Sequence, residues 1–288
     1  MVLIKSILLI GCNKPKMDEE VQKQSYDNNV LLNKNASKET FEDMSNYISS
    51  DDDVQKDPAI DPFKHRLNMT KIEWARTYIL TVLLIPIRVV LIFATLLLAG
   101  IVSSLALYDL NESEKTEKPI SPQWRKQAQR AAAFLGRASI RFCGFSVTVV
   151  GEMASAEEAP ILVAAPHSGF FDAFVLFWAK TPYLVSREEN RKLPILGKCI
   201  ELSQSINVKR EDPNSRQNTV SEIIRRTNLY NHPDPKERWP HLLIFPEGST
   251  SNRKALMTFK NGAFYPGKPV QPVLVRYPNR IDTVTWTW

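Results

Sequence analysis

Between Thr77 and Leu107 the chain is almost wholly apolar, broken only by Pro86 and Arg88. Such a run either enters a bilayer or becomes a buried core helix, and soluble helices of this length normally keep a polar stripe. The uninterrupted part, Val89 to Leu107, at ~1.5 Å per residue is just long enough to cross a hydrocarbon core of ~30 Å. Membrane attachment follows. Pro86 leaves two shapes open, a single span or a proline-broken hairpin dipping into one leaflet. Lys64, Arg66, Lys71 and Arg76 precede the run and Lys115, Lys118, Arg125 and Lys126 follow it, so flanking charge gives little preference for orientation. Glycosylation sequons stand at Asn35 and Asn68 before it and at Asn111 after it. The reading adopted is a hairpin, with both flanks on the side of the following domain and unmodified.

Three segments result: 1–62, 63–110 as the membrane-anchoring segment with its hydrophobic core at 77–107, and 120–288 as the folded domain. Residues 13 to 62 hold six lysines against twelve acidic residues, with few aromatics; the whole of 1–62 is expected to be disordered. Since the chain's net charge is +6, about plus twelve falls on the remainder. That suits an anionic membrane surface and phosphate-bearing substrates. No nucleic-acid motif accompanies the charge, so no nucleic-acid partner is expected. Cys12, Cys143 and Cys199 give neither a disulfide framework nor a metal cluster, which fits a reducing compartment and no metal site.

Chemistry concentrates at two places. Ile161-Leu162-Val163-Ala164-Ala165 is a short apolar run closed by Pro166, a buried strand whose end delivers His167 into a loop. Asp172 follows five positions later, at the start of another apolar stretch. A histidine whose second nitrogen is held by a carboxylate can take a proton from a hydroxyl near neutral pH. Leu242-Leu243-Ile244-Phe245 repeats the strand pattern, and Pro246-Glu247-Gly248-Ser249-Thr250 turns sharply behind it. Both motifs stand at strand ends, where open α/β sheets bind ligands. The other histidines, His65, His232 and His241, have no carboxylate so placed. Ser168 lacks the G-x-S-x-G surroundings of a nucleophile elbow.

Further strands are expected at 145–151, 183–186, 205–208 and 270–275, with helical stretches near Ser215 to Thr227 and between the strands. The fold class is α/β, a mixed sheet flanked by helices. From Gln123 to Phe142 aromatic and aliphatic residues interleave with arginines and a lysine. This reads equally as an interfacial amphipathic helix or as a helix packed on the core.

Four blocks in order, His167 to Asp172, Ile206-Asn207-Val208-Lys209-Arg210, Phe245 to Thr250 and Val270-Gln271-Pro272-Val273, resemble the PlsC-type glycerophospholipid acyltransferases. Leu184 to Arg187, Lys209 to Arg216 and Tyr277 to Trp288 look like its lysophosphatidylcholine acyltransferase branch. The likeness covers about residues 70 to 288. It implies acyl transfer from acyl-CoA, a co-substrate rather than a bound cofactor, to the hydroxyl of a lysophospholipid, most readily lysophosphatidylcholine. His167 would be the base and Asp172 its orienter, with backbone amides near the Glu247-Gly248 turn as oxyanion donors. Arg210 would bind the lipid phosphate through two parallel bonds. Glu247 would bind a substrate hydroxyl or anchor its loop, Gly248 would permit close backbone approach, and Ser249 and Thr250 would complete the substrate-binding turn. The resemblance also implies the endoplasmic reticulum membrane, with membrane lipids as partners and the domain facing the cytosol, where acyl-CoA is available.

Departures go with it. Ser249-Thr250-Ser251-Asn252 replaces the expected threonine-cysteine-threonine pattern, which bears on substrate preference. Relatives of the branch commonly continue into EF-hand repeats, whereas this sequence ends at Trp288 without such a loop, so no calcium site is expected. The ending suggests a fragment or short isoform. The alternatives are lysophosphatidic acid as acceptor, or a silent lipid-binding protein.

Overall fold

The computed structural model describes residues 4–10, 61–176, 182–209, 211–279 and 281–286. The chain divides into two units, residues 13–61 and the remainder; everything below concerns the second of these. Disorder is not what Ile4–Ile10 shows: it forms strand β1. It runs parallel to β2 (Phe145–Val150), Ile4 opposite Phe145 and Ile10 opposite Val150. The rest of the segment expected to be disordered, 11–60, lies outside the described residues.

Helix α1 (Lys71–Leu107) opens on a reciprocal cap, the Thr70 hydroxyl accepting from the Glu73 amide and the Glu73 carboxylate from the Thr70 amide. It continues unbroken through Pro86 for 37 residues, ~55 Å. Its buried residues, Ala99, Gly100, Ser103, Ala106 and Leu107, all lie in the last third. Earlier apolar side chains such as Ile72, Val82, Val90 and Phe93 are exposed. A buried core helix is thereby excluded, and the length and composition fit a membrane helix.

The expected hairpin through Pro86 is corrected. The returning arm is α3 (Gln123–Phe142), reached through the short α2 (Glu112–Thr116). It packs antiparallel on α1: Thr95 Oγ1 lies 2.7 Å from Ser139 Oγ, and at the other end Arg125 Nη2 meets Asp109 Oδ1 at 3.0 Å. Gly100 of α1 leaves room for Ile195, at the start of a later helix, rather than for α3. A Cβ on Gly100 would come within 2.8 Å of Ile195. Helix α3 packs on the core, burying Ser139 and Ile140, and leaves Trp124 and Phe134 exposed.

The main sheet has the order β5-β4-β6-β3-β7, from β3 (Ile161–Ala165), β4 (Tyr183–Arg187), β5 (Ile206–Val208), β6 (Leu242–Ile244) and β7 (Val270–Leu274). Every pairing is parallel, which corrects the expected mixed sheet. Parallel neighbours need crossover connections, here supplied by α4 (Phe171–Leu176), α5 (Leu196–Leu202), α6 (Ser215–Asn228) and the long loops around them. Strand alternation splits the core in two. Leu162, Ala164 and Leu243 face one cluster with Ile140, Phe145 and Val273. Ile161, Val163, Leu242 and Ile244 face another with Tyr183, Ile223 and Trp239. Burial on both faces is why these strands read as continuous apolar runs.

Candidate active site

Three adjacent strand ends build the site. Val163 of β3 stands opposite Ile244 of β6, and Ala165 opposite Leu274 of β7. The chain beyond these pairs therefore carries His167, Glu247 and Tyr277 out of the same edge of the sheet.

The predicted dyad is formed. His167 Nδ1 lies 2.8 Å from Asp172 Oδ2. Asp172, in the first turn of α4, is 0 % exposed. Its Oδ2 also accepts from the amides of Ser168 at 2.6 Å and Gly169 at 3.0 Å. Its Oδ1 accepts from the Tyr277 hydroxyl and, at 3.4 Å, from Ser168 Oγ. A carboxylate is an acceptor only, so a neutral His167 places its proton on Nδ1 and presents the Nε2 lone pair. Among the described residues nothing engages Nε2. Phe245 stacks on the imidazole with ring centroids 4.0 Å apart, fixing its plane.

Ser168 is fully buried and its hydroxyl points to Asp172, so it is not placed as a nucleophile.

Glu247 is turned to the backbone of the two loops. It is 3 % exposed, with Oε1 accepting from the His167 amide at 2.7 Å and Oε2 from the Met257 amide at 3.4 Å. It ties the histidine loop to its own. The reverse tie is the Ser251 amide donating to the His167 carbonyl at 2.8 Å. Gly248 adopts φ +67°, the left-handed region that favours glycine. Its amide donates to the Phe245 carbonyl at 3.1 Å inside the turn. The half-buried Ser249 and Thr250 follow directly, and their amides donate to no other group among the described residues. Arg210 lies outside the described residues. The strand before it, β5, ends on the same edge of the sheet as β3, three strands away, or ~14 Å.

Sequence reasoning missed three participants. Tyr277 was visible only as part of a family pattern, Phe245 only as a strand residue, and the C-terminal segment only as a strand-like end. That segment closes under the site. The Trp286 amide donates to the Ser168 carbonyl at 2.8 Å, and a Cβ on Gly169 would strike the Val284 carbonyl oxygen at 2.8 Å. Asp282 anchors it, taking Arg253 Nη2 and Thr285 Oγ1 at 2.5 Å each. Burial pushes the Asp282 carboxyl up, but the hydrogen bonds from Thr285 and Arg253 outweigh it and hold it below the usual range. Burial, then the Asp172 charge and hydrogen bond, push the Tyr277 phenol far up, so it remains a donor.

At the carboxyl ends of a parallel sheet, a half-buried imidazole is thus held by a fully buried carboxylate beside a glycine turn. Residues 146–276 match the Acyltransferase family and form its domain in this chain.

Within that family its relatives are specific. It is 48% identical over 233 residues to lysophosphatidylcholine acyltransferase 2B of Mus musculus, covering 80% of this chain and 43% of the relative. It is 45% identical over 231 residues to lysophosphatidylcholine acyltransferase 2 of Homo sapiens, covering 80% and 41%. The chain thus spans less than half the length of the curated relatives it matches. The crystal structure of the 1-acyl-sn-glycerophosphate (LPA) acyltransferase PlsC from Thermotoga maritima overlaps 72% of this chain and 86% of its own, at TM-score 0.44 and 16% identity.

Proposed function

We propose that this protein transfers an acyl group from acyl-CoA to the free hydroxyl of a lysophospholipid, with lysophosphatidylcholine as the favoured acceptor. The observation that carries the reading is His167, tied at Nδ1 to Asp172 and unengaged at Nε2. Nε2 takes the proton of the lysolipid hydroxyl while the oxygen attacks the thioester carbonyl, and Asp172 stabilises the imidazolium. The tetrahedral intermediate collapses with loss of the CoA thiolate, which recovers the proton from His167. No enzyme nucleophile is consumed. With the Gly248 amide used inside the turn, the Ser249 and Thr250 amides are the donors assigned to the oxyanion. Arg210 is assigned to the lipid phosphate. The names of the curated relatives support the acceptor class.

The membrane arrangement joins this reading. Asn252 hydrogen-bonds the carbonyls of Pro62 and Lys64 through its amide and side chain, at 2.8 and 2.9 Å, and His65 Nε2 lies 2.8 Å from the Asp282 carbonyl. The chain entering α1 is therefore held at the site, while the last third of α1 packs on α3. A helix with both flanks on one domain lies in one leaflet, on the cytosolic face of the endoplasmic reticulum, with Asn68 and Asn111 unglycosylated.

The test is an assay of membranes carrying the full chain, with labelled acyl-CoA and a panel of lysolipids. Wild type labels lysophosphatidylcholine, and His167→Ala loses ~10²–10⁴-fold in rate. Equal incorporation by both proteins refutes the mechanism. Labelling of lysophosphatidic acid instead refutes the acceptor, and no labelling by wild type favours a silent lipid binder.

A further inference from the structure

A cavity lies away from this chemistry. It has a volume of about 410 Å³, within the usual range of ligand sites, ~300–1,000 Å³. Its floor is made by residues that enter the strands: Glu157 before β3, Pro182 before β4, Gln204 before β5, Pro240 before β6. The strands are all parallel, so this is the edge opposite His167, one five-residue strand or ~16 Å away.

Its walls are α1, α3 and α5, and they are graded. Along α3 one stripe contributes Lys126, Gln129, Arg130, Ala133 and Gly136, the spacing of a single helix face. Cations occupy its first turns; small apolar positions follow ~15 Å on. Across from the latter stand Leu96 and Ala99 of α1 and Leu196 of α5. The acid in the lining, Glu157, is neutralised by Arg238 at 2.7 Å, and Gln129 is satisfied by the Leu202 carbonyl at 2.8 Å. Lys126 and Arg130 have no counter-ion among the described residues. The positions bordering the apolar end, Leu97, Leu98 and Phe134, are exposed on the two helices that carry the membrane-facing surface.

We propose that this cavity binds an anionic membrane phospholipid, its phosphodiester on Lys126 and Arg130 and its acyl carbons along Leu96, Ala99, Ala133 and Gly136. Charge and polarity at the two ends match an amphiphile of that kind. The exposed apolar border lets it arrive from the bilayer. The site is separate from the one that holds the reacting lysolipid, and its occupancy does not depend on acyl transfer.

Native mass spectrometry of the full chain, delipidated in detergent, tests this with dioctanoylphosphatidylglycerol as probe. Wild type retains a phosphatidylglycerol adduct in preference to dioctanoylphosphatidylcholine. The surface double variant Lys126→Glu/Arg130→Glu weakens it by about tenfold or more, the scale of losing charge-assisted phosphate contacts. Gly136→Leu weakens it as well. A Cβ at Gly136 meets nothing within 4 Å, so a side chain there enters open space, and an unchanged Tm checks that the variant folds. As an independent reading, the probe slows alkylation of Cys199, which lines the cavity, and spares the rate at Cys143. Equal adducts with both lipids, adducts unchanged in both variants, or displacement by inorganic phosphate would overturn the proposal. So would a Gly136→Leu protein whose only change is acyl-chain preference, since the cavity would then belong to the catalytic pocket.

Discussion

Tyr277 donates its hydroxyl to Asp172 from the opposite side of the carboxylate to His167. The imidazole is therefore braced by an acid that is itself braced, and the outer brace comes from the chain just beyond β7 rather than from the histidine's own loop. Both partners are buried. With its phenol pushed far above the ordinary value by burial first, Tyr277 keeps this bond across the pH range in which an acyltransferase is assayed.

Tyr277→Phe tests the brace. The ring and its packing survive, and one acceptor of Asp172 loses its closest donor, at a cost of ~1–3 kcal/mol for an unsatisfied buried group. Turnover is expected to fall about tenfold with KM for the lysolipid nearly unchanged, because Tyr277 touches no substrate. A variant with normal kcat and a raised KM would show that the tyrosine acts on binding instead.

Glu247→Gln separates a loop brace from a substrate ligand. Glutamine offers one acceptor where the His167 and Met257 amides need two. The expected loss is ~2 kcal/mol, or ~4–8 °C in Tm for a domain of this size, read by thermal shift without substrate. An unchanged Tm with a raised KM for the acceptor would restore the substrate role.

Much of this was legible in the sequence, for identifiable reasons. Ile161 to Ala165 and Leu242 to Ile244 announced themselves because burial on both faces leaves no polar alternation to confuse them. The His167–Asp172 pair was legible because both residues lie within one strand-loop-helix corner. What stayed hidden depends on chain segments far apart. Tyr277 reaches Asp172 across 105 positions, and Asn252 meets Pro62 across 190. Pro86 misled in the other direction: proline usually breaks a helix, but α1 continues through it. The partner that makes a hairpin is the amphipathic α3, whose pairing with α1 no local pattern reports.

Gly169→Ala should be disproportionately damaging. The new methyl would meet the Val284 carbonyl oxygen at 2.8 Å, and both sides of that contact are main chain. Relief requires the 284–286 segment to lift off Ser168, at ~1–3 kcal/mol, with faster proteolysis near Trp286 and reduced turnover. Gly262→Ala is the control, since a Cβ there meets nothing within 4 Å. Equal behaviour of the two variants would show that the segment does not press on the site.

Asp282 makes the C-terminal closure sensitive to acid. Its folded carboxyl titrates below the ordinary value of 3.8 because the hydrogen bonds of Thr285 and Arg253 outweigh burial. A depressed carboxyl contributes stability that is fully present above its unfolded value and disappears as pH falls through the folded one. Asp282→Asn is therefore expected to lower stability by ~1–2 kcal/mol at pH 7, a modest figure because the pair is partly solvated. The difference from wild type should hold steady down to about pH 4 and close below it. Denaturant melts followed by tryptophan fluorescence at pH 7, 5 and 3 measure this directly. A difference that already shrinks between pH 7 and pH 5 would assign the acid sensitivity to another group.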